Sequence, residues 1–222
     1  MRVLLTAMLL ALAVAPAAAQ ERAFKPVDEG ARDPSWVSFR NQLLNAVEAR
    51  DRKFVMGMLA PDVRTNLDAP RGPAEFRKQW DVNGEASPLW RALRSALFLG
   101  SAYVERDKGR RELCAPFLLA KWPKDIDPFR HGAVVAREVL VKAEPSSNSA
   151  TIQVLGYEIV TVLDWEMPDK ASEAAQRWVK VSVKNGEGYM PEEQIRSPVE
   201  HTACFVKSDG RWQMTGLAPA GG

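Results

Sequence analysis

The sequence predicts an α+β protein, with a helical N-terminal region followed by a compact C-terminal β unit. Three observations carry this. Before residue 100, apolar residues recur at helical spacing. After residue 133 they recur in short, β-branched runs. Between the two patterns, residues 122–132 hold two prolines and several charges, the composition of a domain boundary.

The chain opens on Arg2, an almost unbroken apolar run from Val3 to Val14, and Ala17-Ala18-Ala19. This is the three-part layout of a secretory signal peptide, so cleavage is expected near Ala19, with export to the periplasm or beyond. The run is too short for a membrane span, which takes roughly 20 apolar residues. Residues 20–34 mix charge with Pro26, Gly30 and Pro34 and read as a leader without stable structure.

Trp36, Phe39, Leu43, Leu44 and Val47 then form one apolar stripe of an amphipathic helix, with Ser35 in the N-cap position. Helical stretches follow around Phe54–Leu59 and Phe76–Trp80. A fourth carries Leu89, Trp90, Leu93, Ala96 and Leu97 behind Ser87-Pro88. Tyr103-Val104 and Leu113-Cys114-Ala115 flank Asp107-Lys108-Gly109 as a hairpin.

From Ala133 the strands are Val134-Val135, Val139–Val141, Thr151–Leu155, Ile159–Leu163, Trp178–Val183 and Gly188–Met190. Trp178, Lys180 and Ser182 alternate with Val179, Val181 and Val183, the period of a half-buried strand. Asn185-Gly186 and Asp209-Gly210 mark hairpin turns, the second between Ala203–Val206 and Trp212–Thr215. Short strands at this spacing make a small barrel or sandwich.

The stretch from Val135 to Pro198 resembles the bacterial SH3-like (SH3b) family. The resemblance rests on Val139 to Ser147 with Pro145, on Ile152–Leu155 and Ile159–Leu163, and on the order of Trp178, Gly186, Gly188 and Tyr189. It implies a C-terminal SH3-like β-barrel over 131–198, preceded by a mainly helical domain over 35–130. Residues 199–222 would then form an extra hairpin packed on the barrel. The segment Arg196 to Thr215 and the run Ala115-Pro116-Phe117 are similar to exported proteins that combine these parts. The helical half also resembles the opening helices of cone-shaped NTF2-like domains, which implies a small-molecule pocket or an enzyme there as the alternative.

Charge and motifs narrow the function. The chain has 30 Lys+Arg against 28 Asp+Glu, and loss of Arg2 with the signal leaves 29 against 28. A balance so near neutral argues against a dedicated nucleic-acid binder. Neither G-x-x-x-x-G-K-S/T nor G-x-G-x-x-G occurs, so no cofactor is expected. His131, His201, Cys114 and Cys204 have no metal-ligand spacing. His201 and Cys204, three apart on a strand, point to opposite faces and make no nucleophile–base pair. Acid pairs such as Glu192-Glu193 read as solvated turn charges.

Export into an oxidising compartment favours a Cys114–Cys204 disulfide over two buried thiols. The candidate ligand contacts are aromatic: Trp165, in the long polar segment Asp164–Arg177, with Trp178 and Tyr189. The SH3-like resemblance sets these by the ligand groove, where aromatic platforms suit peptide recognition. Trp178 fits the barrel core better than the groove, and Tyr189 fits both equally. The expected function is a non-enzymatic periplasmic binding or adaptor protein. Its partner would be a peptidoglycan stem peptide or an envelope protein.

Overall fold

The computed structural model describes residues 23–66, 71–106, 109–170 and 176–219. The signal segment with Ala19 and the turn residues Asp107-Lys108 lie outside the described residues. So do residues 171–175 of the polar segment.

Two sheets organise the chain. The first has five strands in the order β1-β12-β11-β3-β2. These are β1 (Leu59–Arg64), β2 (Ala102–Glu105), β3 (Arg111–Ala115), β11 (His201–Ser208) and β12 (Arg211–Pro219). The second has seven, in the order β10-β4-β7-β8-β9-β5-β6. They are β4 (His131–Val134), β5 (Val139–Lys142), β6 (Thr151–Leu155), β7 (Ile159–Pro168), β8 (Arg177–Val183), β9 (Gly186–Pro191) and β10 (Ile195–Arg196).

The helices are α1 (Pro34–Glu48), α2 (Arg52–Gly57), α3 (Pro73–Gln79), α4 (Leu89–Leu97) and α5 (Leu118–Lys121). None of those described is long and apolar enough to cross a membrane.

This overturns the expected fold class. The described chain is mostly β, its helices are few and scattered, and no separate helical N-terminal region exists. The helical stripes are real, but they close onto a sheet and not onto one another. Trp36 and Leu43 of α1 and Leu93 and Leu97 of α4 pack into one core with Leu113, Phe205, Met214 and Leu217 of the first sheet. The C-terminal hairpin is therefore not an extension of a barrel. It supplies the two central strands against which the first half folds, with β1 parallel to β12 and β3 antiparallel to β11. In place of a helical domain followed by a barrel, strands β4 to β10 lie in sequence between β3 and β11 of the other sheet.

Local chemistry explains the element ends. Asp33, not Ser35, caps α1: its carboxylate accepts from the Ser35 N–H at 2.8 Å, and Pro34 follows. Asp51 caps α2 in the same way, accepting from Phe54 N–H. In the β11–β12 turn Asp209 and Gly210 have φ of 51° and 76°. Both are left-handed, as a tight two-residue hairpin requires.

Residues 23–33 are not a structureless leader. Ala23 bridges Glu158, and Phe24 stacks on Phe117 at 5.3 Å and meets Trp122 edge-on. Asp28 accepts from Ser101 N–H and Oγ and pairs with Arg40 at 2.7 Å. Phe24, Phe117 and Trp122 join Ala102 of the first sheet to Ala133 of the second, so this small cluster is the seam between them.

Candidate functional site

A cleft of about 860 Å³ lies between α4 and the second sheet. On α4, Arg91, Arg94, Ser95 and Phe98 recur at three- and four-residue spacing and so share one face. Facing them are Trp165 and Glu166 of β7, Glu192 and Glu193 of a short 3-10 helix, Arg196 of β10, and Glu200-His201 at the start of β11. Phe129, from the connector before β4, completes the rim. Phe98 and Phe129 are 69% and 68% exposed, an unusual state for two phenylalanines beside one groove.

The expected loop after Leu163 is in fact more strand. β7 continues to Pro168, and its register to β8 slips between Asp164 and Met167. There Trp165 and Glu166 stand opposite the single residue Val179, one residue more than the partner strand has, and Glu166 takes φ of 59°. Such a bulge re-aims side chains. Here Trp165 ends half-buried, its ring packed against the valine core of the second sheet while it also lines the cleft.

The three expected aromatics are not brought together. Trp165 lines the cleft. Trp178 is 1% exposed, donates its indole N–H to Asp169 Oδ2 at 2.8 Å and is not among the cleft residues. Tyr189 is half-buried on β9, opposite Lys180 of β8 and Lys142 of β5, and is not among the cleft residues.

The polar groups of the cleft are perturbed in opposite senses. Glu200 Oε1 accepts from Ser197 N–H at 3.0 Å, and Oε2 is 3.9 Å from Arg196 Nε. Burial raises the Glu200 carboxyl above its ordinary value, and the nearby Glu192 charge adds to this; Ser197 and Arg196 only partly counter it. The His201 imidazole, edge-on to Trp80 at 5.0 Å, is lowered by partial burial and by the Arg91 charge. Both effects disfavour the charged forms of Glu200 and His201.

A second polar cluster is closed. Cys114 and Cys204 are joined, with Cα atoms 4.1 Å apart across the β3–β11 pair. The adjacent Glu112 carboxylate accepts from Arg64 at 2.6 Å and Arg106 at 2.8 Å. Burial alone would raise the Glu112 carboxyl, but these two guanidiniums outweigh it and hold it below the ordinary range. The three residues lie within ligating distance of one another, yet the sulfurs are bonded and the carboxylate is taken. This donor set does not suit a metal ion.

No family model, curated protein or solved structure matches the chain.

The cleft therefore has to be read from its own side chains. Sequence reasoning found Trp165, set aside His201 and Glu192-Glu193, and missed Phe98, Phe129, Arg91 and Glu200. The one available sign was a pair of large apolar residues, Phe98 and Phe129, outside the apolar stripes. Nothing local in the sequence links Glu200-His201 to α4.

Proposed function

We propose that this chain is an exported, non-enzymatic binding protein whose cleft takes a short peptide carrying both charges, such as a cell-wall stem peptide. One observation carries the reading: Trp165, Phe98 and Phe129 line one cleft together with an arginine wall, Arg91 and Arg94 of α4, and a glutamate wall, Glu166, Glu192 and Glu193 on the second-sheet side. A zwitterionic peptide offers carboxylates to the first wall and an ammonium group to the second. Arg94 lies over the Phe98 ring at 6.0 Å and makes an exposed pair with Glu48 at 3.3 Å, a pair that a ligand carboxylate can replace at little cost.

Export is supported by the three-part N-terminus and by the Cys114–Cys204 pair, which belongs in an oxidising compartment. A cone-like pocket in the N-terminal half has less support, because α1 and α4 meet the first sheet through packed side chains.

The test is calorimetric titration of a soluble stem tetrapeptide, with sedimentation against isolated sacculi. Trp165→Ala should weaken binding by about tenfold, the typical loss on truncating an aromatic anchor. Trp178→Phe, at a buried site, should leave it unchanged. No retention of the wild-type protein by sacculi or tetrapeptide would remove the proposal.

A further inference from the structure

A second cavity, about 670 Å³, lies between α1, α2 and the β11–β12 turn. Its walls are apolar and aromatic: Phe39 from α1, Phe54 and Met58 from α2, and Trp212 from β12. Phe39 and Trp212 are stacked, with centroids 6.4 Å apart. The Trp212 indole N–H is already satisfied by Ser35 Oγ at 3.1 Å. That pair therefore offers ring surface to a ligand and no unspent donor.

The rim is charged, and the balance of free charge is positive. Lys53 and Arg211 line the cavity, and neither has an ion-pair partner among the described residues. The one acid there, Asp51, is committed to the α2 N-terminus through Phe54 N–H at 2.9 Å. An apolar cleft with two unpaired cations at its mouth complements an amphiphile with an anionic head.

Gly57 strengthens the case. It lies four residues after Lys53, on the same face of α2, and a Cβ placed there would meet nothing within 4 Å. Neither packing nor a left-handed backbone demands glycine at this position. The missing side chain leaves the cavity open.

We propose that this cavity binds a soluble single-chain amphiphilic anion. The alkyl tail lies against Phe39, Phe54, Met58 and Trp212, and the carboxylate sits at Lys53 and Arg211. The site is separate from the cleft that holds Trp165 and does not depend on the reading of that cleft.

The experiment titrates the full chain with decanoate, decanol and decyltrimethylammonium below their micelle concentrations. Decanoate should bind at least about fivefold tighter than either of the others, the size expected from partly exposed charge contacts. Lys53→Gln with Arg211→Gln should abolish that preference. Gly57→Leu should fill the cavity and remove decanoate binding while the thermal melt stays at or above wild type, since leucine is also the better helix former. Absence of decanoate binding, an equal or tighter fit for decanol or the cation, or unchanged binding by Gly57→Leu would each overturn the proposal. So would binding to anionic vesicles that survives Gly57→Leu, because it would place the affinity on an outer surface.

Discussion

Gly30 lies buried in the short 3-10 turn before α1, and a Cβ there would fall 2.4 Å from Trp36 and 2.5 Å from Ser101 Oγ. Trp36 is fully buried in the main core and cannot move aside, so overpacking sets the cost. Gly30→Ala should destabilise the protein by about 1–3 kcal/mol, read as a lower urea midpoint with an unchanged slope.

Glu112 makes the other residue-scale case. Its carboxyl is depressed in the folded state from an ordinary 4.5, so the stability it adds is complete above that value. That stability is lost as pH falls through the lower folded value. Arg64 and Arg106 keep a quarter to a third of their side-chain surface in water, which discounts the usual cost of breaking a buried pair. Glu112→Gln should cost about 1–2 kcal/mol near neutral pH. The difference from wild type should shrink in acid, as urea unfolding at about pH 7 and about pH 3 would show.

Among the elements, the β3–β11 pair is pinned by Cys114–Cys204, which closes a loop of 90 residues. That loop contains the whole second sheet. In the chain-entropy account, a loop of this length adds about 4–5 kcal/mol by restricting the unfolded chain. Reduction, or Cys114→Ala with Cys204→Ala, should lower the melting temperature markedly without moving Trp165 in the cleft. Calorimetry with and without reductant measures this.

The strands β4 to β9 were legible as short, β-branched runs between turn signals, with alternation in Trp178–Val183 and a turn announced by Asn185-Gly186. The stripes of α1 and α4 were legible for the same local reason. By contrast, β1 was not. Leu59-Ala60-Pro61-Asp62-Val63-Arg64 follows a helix, contains a proline, and finds its parallel partner in β12 at the far end of the chain. No short-range pattern records such a pairing. The bulge at Trp165-Glu166 was hidden likewise, since one extra residue in a polar strand reads as loop.

For the whole molecule, the decisive feature is that the chain returns to its beginning. The N-terminal helices look self-sufficient as a sequence, yet the apolar faces of α1 and α4 are covered by Phe205, Met214 and Leu217 from the last hairpin. That return also builds the cleft. It sets α4 opposite Glu192, Glu193 and Trp165, and so joins side chains from three distant parts of the sequence. Trp165 could be picked out early as a large aromatic among polar neighbours. Arg91, Glu200 and His201 could not, because their proximity exists only after the hairpin has docked.

The most direct measurement is urea unfolding of a fragment covering residues 23–130, followed by tryptophan fluorescence, alone and with a peptide covering residues 199–219 added. The fragment alone should show no cooperative transition, because the central strands of its sheet are absent, and the peptide should restore one. A cooperative transition in the fragment alone, with native-like fluorescence, would contradict the account: the first half would then be a domain in its own right, and the cleft a contact between two independent bodies.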